Sequence, residues 1–225
     1  MDSAERKALI VLACGSLALT ISFGIRSAFG LFLPPVTADM GWSIAYLSFV
    51  LALQNLLWGA AQPFAGALAD SRGSSFVAAW GAVIYVAGLL LMAWGGSELL
   101  FGLGGGLLIG FALAALGFPI VLGAVSRSAP EHRRSLYTGI ATAGGSFGQF
   151  LFAPIGQELM SAFGWVNALL VLATICLLIT VLAIGIRGGN PAPKPADAAP
   201  EPEMSLGQAL GEALRHRGFL LLTAG

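Results

Sequence analysis

At 225 residues the chain has length enough for one or two soluble domains, but 57% of it is hydrophobic and only 10% charged, with a mean hydropathy of +0.85. Soluble domains carry roughly 25% charged residues to keep their surface wetted, so this chain requires lipid as its main solvent. Eleven basic and eleven acidic residues give a formal net charge of +0, which excludes a polybasic nucleic-acid binder. The two cysteines, Cys14 and Cys176, sit in apolar runs and support neither a disulfide framework nor a metal site.

Six apolar runs follow one another at 8–33, 42–69, 76–95, 99–125, 136–160 and 166–186, and a seventh begins at Gly218. Each is close to the ~20 residues a helix needs to cross the hydrocarbon layer. Unpaired backbone amides are costly in lipid, so the expected fold is all-α, with six transmembrane helices. The alternating polarity of a membrane β-barrel is missing.

Before the first run stand Arg6 and Lys7. This resembles a secretory leader, but the apolar stretch continues well past Cys14, so a retained helix is expected. Arg26 lies inside that helix, beyond its midpoint. A charge at such depth is costly and by default functional. At helical spacing it shares a stripe with Leu19, Ser22 and Gly30, while Leu17, Ile21 and Phe32 fall on the other side. A guanidinium beside small residues can bind a carboxylate through two hydrogen bonds. The alternatives are snorkelling to the headgroups or a fixed ion pair.

The second run carries Gln54, Asn55 and Gln62, with Asn55, Gly59, Gln62 and Gly66 on one helical face. Ligand contact and interhelical hydrogen bonding both account for that face. Gly66, Asp70, Arg72 and Gly73 fill the turn before the third run, where an Asp at a helix end can cap a neighbouring helix or pair with a cation. In the fourth run Gly102, Gly106, Gly110 and Ala114 recur every fourth residue, as Gly144 and Gly148 do in the fifth, spacing that lets helix backbones approach closely. The run 102–106 lacks the context of a phosphate loop, so no nucleotide cofactor is expected. The fifth run also holds Ser146 and Gln149; Gln149 joins Arg26, Ser22 and Asn55 as a substrate-binding candidate.

Cations mark one side of the topology. Arg6, Lys7, Arg72, Arg127, Arg133, Arg134, Arg187, Lys194, Arg215 and Arg217 all fall before the first run or in alternate connections, and the opposite connections have none. The bias puts the N-terminus and the central loop in the cytoplasm of an inner-membrane protein. The expected organisation is a helical part at 1–186, a cytoplasmic linker at 187–217 and the start of a seventh span at 218–225. Within the linker, 188–203 is rich in Pro and Ala, and Ser205 opens an amphipathic stretch with Leu206, Leu210 and Leu214 on one stripe. That stretch fits either a helix on the inner membrane face or a solvated connector.

Gly66, Leu68, Asp70 and Gly73 resemble the loop signature of the major facilitator superfamily, although Ser71 stands where that signature has a basic residue. Arg133-Arg134-Ser135-Leu136, Gly139, Ala141, Ala143-Gly144 and Gly148 resemble the segment entering the fifth helix of monocarboxylate transporters, with Tyr137 in place of an Ala. Phe23-Gly24-Ile25-Arg26-Ser27 is similar to the first-helix segment whose cation meets the substrate carboxylate in that family. The resemblance implies an N-terminal six-helix half, with a second six-helix half missing from this sequence, and alternating access by rocking of the halves. It implies a small organic anion, above all a monocarboxylate, as cargo bound by Arg26, with proton coupling. Asp70–Gly73 and Arg133-Arg134 would bias the conformational switch. No carboxylate stands mid-membrane, since Asp39, Asp70 and Glu158 are at span ends. An efflux transporter for apolar or cationic compounds and a non-transporting receptor or assembly subunit remain as rivals. An enzyme is not expected, for no nucleophile–base pair or metal-ligand cluster occurs in the spans.

Overall fold

The computed structural model describes residues 3–94 and 96–190, together with Gly211 and Arg215. The chain divides into two units, Met1–Pro191 and Ala192–Gly225. In the second, only Gly211 and Arg215 are described, both helical. The expected amphipathic stretch from Ser205 and the seventh span therefore lie outside the described residues.

The first unit is built of helices: α1 (Ser3–Met40), α2 (Ile44–Arg72), α3 (Ser74–Trp94), α4 (Glu98–Gly102), α5 (Ile109–Ala115), α6 (Phe118–Ser128) and α7 (Arg134–Ile186). Five helical stretches are long and apolar enough to cross a membrane: α1, α2, α3, Glu98–Ser128 and Glu131–Gly189.

The last stretch contains a reversal. Gly164 has φ 76° and ψ 165°, a conformation open essentially to glycine alone, and it interrupts α7. Before it, the chain runs alongside α1 in the same direction: a Cβ on Gly144 would stand 3.1 Å from the Ser16 carbonyl oxygen, and one on Gly156 would stand 3.0 Å from Ala28 Cβ. After it the direction is opposite, for Trp165 bonds Asp39 near the end of α1, and Gly185 abuts Cys14 near its start. α7 is thus a helical hairpin folded at Gly164 around α1.

α1 runs further than its apolar stretch. It passes through Pro34-Pro35, although proline removes a helix hydrogen bond and normally ends a helix. Packing overrides that preference here. Val36 is buried, and Trp165 Nε1 donates to Asp39 Oδ2 at 2.8 Å, so the extension is anchored beyond the prolines.

The expected single helix over 99–125 is broken in two places. Leu103–Leu108 is π-helical. Gly104 and Gly106 face the Gly88 and Val50 carbonyls of neighbouring helices, and Gln54 Nε2 reaches in from α2 to donate to the Gly105 carbonyl at 2.7 Å. A side chain inserted into the ladder is one recognised cause of such a bulge. Further on, Leu116 (φ −103°, ψ 5°) and Gly117 (φ −71°, ψ 168°) leave the helix before α6 starts. Pro119 has no N–H for the Ala115 carbonyl, which ends α5, and it suits the first turn of a new helix.

The glycine row lies against α2. A Cβ on Gly102 would come within 2.8 Å of Tyr46 Oη, one on Gly106 within 3.1 Å of Leu53 Cδ2, and one on Gly110 within 3.0 Å of the Gln54 carbonyl. Gly148 presses on the Thr20 carbonyl even more closely. Large apolar side chains such as Phe49, Leu56, Phe64 and Phe150 remain exposed, as suits a chain bathed in lipid.

Candidate functional site

Arg26 leaves α1 toward α2. Its Nη2 donates to Asn55 Oδ1, and its guanidinium carbon lies 4.8 Å from the centre of the Trp58 ring, within cation–π range. Asn55 is oriented from its own helix, with Nδ2 donating to the Leu51 carbonyl at 2.9 Å. Trp58 is held in turn by Phe23 at 5.6 Å between centroids, and Phe23 by Phe118 at 4.4 Å, just past the break at Gly117. On the other side, Ser27 Oγ donates to the Gln149 carbonyl at 3.1 Å, so residues 26–27 are where α1 meets α2 and α7 together.

Four buried side-chain polar atoms lack a partner among the described residues, and two of them are here: Arg26 Nε and Trp58 Nε1. Both are donors. Buried polar atoms are normally satisfied, so two orphaned donors beside a cation complement a ligand that offers acceptors and negative charge. The single ion pair among the described residues, Arg133 to Glu5 at 3.9 Å, is elsewhere, so Arg26 has no counter-ion among the described residues.

The candidates from the sequence divide accordingly. Arg26 and Asn55 are in contact. Gln149 is adjacent through its backbone, with its side chain exposed. Ser22 stands apart: it is fully buried, its hydroxyl points to the Leu19 carbonyl, and its own carbonyl accepts from Tyr85 of α3 at 3.3 Å. Leu19 is buried as well, so of the stripe around Arg26 only Gly30 stays open. Trp58 was not picked out by sequence reasoning. Its signal was its place three residues after Asn55, one helical turn along the same side.

The ends of the unit differ in charge. At one end Arg133 pairs with Glu5, and Arg72 covers the Phe76 ring at 5.5 Å. Gly73 turns the chain at φ 91°. Asp70 and Arg134 are exposed, and Gly66 has open space where a Cβ would be. Asp70 makes no hydrogen bond or ion pair among the described residues, and it does not meet Arg133 or Arg134. The contacts that tie this end together come from other residues. Arg127 Nε donates to the Gly189 carbonyl at 2.8 Å and its Nη2 to Ser74 Oγ at 2.7 Å, while Asn190 Oδ1 accepts from the Ser75 N–H at 3.0 Å. At the opposite end the contacts are Trp165 to Asp39 and Tyr46 to the Glu98 carbonyl.

Residues 15–225 match the family described as Major Facilitator Superfamily. The chain belongs to that superfamily. As one of its members it is a multi-pass membrane protein of a transporter family, not of an enzyme family. Among its relatives is human monocarboxylate transporter 11, 33% identical over 189 residues, covering 81% of this chain and 40% of the relative. The mouse protein of the same name is 33% identical over 217 residues, 96% of this chain and 47% of the relative. Bovine monocarboxylate transporter 13 is 28% identical over 201 residues, 89% of this chain and 45% of the relative. The chain therefore spans less than half the length of these curated relatives.

Proposed function

We propose that this chain is the substrate-binding N-terminal half of a secondary transporter for a small organic anion, with a monocarboxylate as the leading cargo. The observation that carries this reading is the intramembrane Arg26, which has no counter-ion among the described residues and an orphaned donor on its guanidinium. A carboxylate supplies both the charge and the acceptor. The names of the relatives point the same way.

The reading takes the helical hairpin at Gly164 as two crossings, giving six in all, and the cation-rich end as cytoplasmic. A second six-helix half would close the other wall of the site, and the two would rock about Arg26 in alternating access. Asp70, with no hydrogen bond or ion pair among the described residues, and Gly66, with open space at its Cβ position, would engage that second half on the cytoplasmic side. Proton coupling, where it operates, draws on a carboxylate in the second half, because Asp39, Asp70 and Glu158 are exposed at helix ends.

The test is uptake of radiolabelled short-chain carboxylates by proteoliposomes holding the full-length protein. Arg26→Ala should abolish uptake, while Arg187→Ala, at an exposed residue whose side chain makes no hydrogen bond among the described residues, should leave it largely intact. Undiminished carboxylate uptake by Arg26→Ala refutes the reading. Export of apolar or cationic compounds, insensitive to Arg26, would establish an efflux transporter in its place, and binding without counterflow a receptor.

A further inference from the structure

The guanidinium of Arg26 is engaged on one edge by a group that satisfies only half of it. Nε and Nη2 of an arginine point the same way and together form the edge that meets both oxygens of one carboxylate. In this structure Nη2 donates to Asn55 Oδ1, while Nε, its partner on that edge, is buried with no acceptor. Asn55 does not serve both. Its one oxygen accepts from Nη2 alone, and its nitrogen is committed to the Leu51 carbonyl at 2.9 Å, which aims that oxygen at Arg26. The Trp58 ring covers one face of the guanidinium at 4.8 Å and leaves its edges to a ligand.

We propose that Asn55 is an internal surrogate for the ligand carboxylate, a neutral amide that holds the Nε/Nη2 edge of Arg26 and is displaced when a carboxylate takes both donors. This rests on the anion-binding reading of Arg26 and adds a specificity device to it. A neutral surrogate steadies the side chain without cancelling its charge, so an incoming anion gains the charge and the second hydrogen bond, and a neutral isostere gains neither. An aspartate at position 55 would complete the edge permanently and close the site from within.

The test is ligand binding by the full-length protein in detergent, with butyrate and pyruvate as probes and butyramide as the neutral control. Binding is read as the ligand-induced rise in Tm and as tryptophan fluorescence quenching. Asn55→Asp should raise the ligand-free Tm and weaken butyrate by about 100-fold, since a charged internal rival must now be displaced. Asn55→Leu, which removes the rival, should bind butyrate within about threefold of wild type or more tightly. Butyramide should shift none of them.

Two results would overturn the proposal: Asn55→Asp binding butyrate as wild type does, or Asn55→Leu losing it by tenfold or more, about 1.4 kcal/mol, which would make Asn55 a direct ligand contact. If Asn55→Asp does not fold, Asn55→Leu alone decides between these outcomes. Arg26→Gln separates the two levels of inference. Wild-type binding in Arg26→Gln, or no carboxylate binding by the wild type, refutes the anion site and this proposal with it. Lost binding in Arg26→Gln beside unchanged binding in Asn55→Asp refutes only the surrogate.

Discussion

Arg127→Met is a demanding perturbation, because one side chain joins three chain segments. Arg127 at the end of α6 donates to Ser74 Oγ at the start of α3 and to the Gly189 carbonyl just past α7. Methionine keeps most of the aliphatic stem and removes both bonds. Hydrogen bonds to charged groups are worth about 1.5–3 kcal/mol when well buried, and exposure reduces that, so with Arg127 largely at the surface each is taken as about 1 kcal/mol. Ser74 is 1% exposed and its hydroxyl loses its partner, which adds up to about 1 kcal/mol. The total, about 2–3 kcal/mol, corresponds to a fall in Tm of about 5–10 °C on the scale for chains of 150–250 residues. Thermal unfolding of the purified protein, followed by tryptophan fluorescence, measures it. Arg127→Lys, with one point donor for two acceptors, should recover only part of the loss. Arg187→Met is the control, since its side chain makes no hydrogen bond among the described residues. A Tm for Arg127→Met within about 1 °C of wild type would refute the assignment of this residue as a tie.

Other perturbations probe the helix contacts and the site. Gly110→Ala puts a Cβ 2.8 Å from Leu57 Cβ and 3.0 Å from the Gln54 carbonyl, and should lower stability by about 1–3 kcal/mol, whereas Gly139→Ala, with open space, should not. Paired Tm measurements distinguish them. Gly164→Ala should cost about 1–3 kcal/mol in the same assay, because its φ of 76° and ψ of 165° strain any residue with a Cβ. Trp58→Leu removes the ring over Arg26 and should weaken carboxylate uptake by about three- to thirtyfold, with Trp58→Phe between it and wild type. Equal uptake by all three would rule out a part for the ring.

The apolar helices were legible because lipid imposes one requirement on every residue: bury the backbone dipoles in a helix of fixed length. The family was legible for a related reason, since the turn at 66–73 and the entry to α7 carry residues that local geometry demands, such as the left-handed Gly73. Breaks inside helices were not. The π-helical segment depends on Gln54 arriving from another helix, and the passage of α1 through Pro34-Pro35 depends on Trp165, 126 residues from Asp39. Local propensity is silent on both. At the site, Arg26 stood out because a charge in hydrocarbon is rare, and Asn55 because it headed a polar face. Ser22 shared the helical stripe of Arg26, yet a turn of α1 is enough to carry it into the contact with α3. Trp58 and Arg127 read as ordinary membrane and loop residues until their partners were in view.

The hairpin formed at Gly164 has a mechanical corollary. α1 lies between its two limbs, touching Gly144, Gly148 and Gly156 on one and Gly185 on the other, with no side chain at those four glycines to act as a cushion. A helix seated that tightly cannot slide or roll alone, so α1 and both limbs must travel as one slab. Arg26 rides on the slab, while its polar and aromatic neighbours ride on α2. Relative movement between the slab and α2 would therefore be registered first at the guanidinium, which would make the arginine a gauge of conformation.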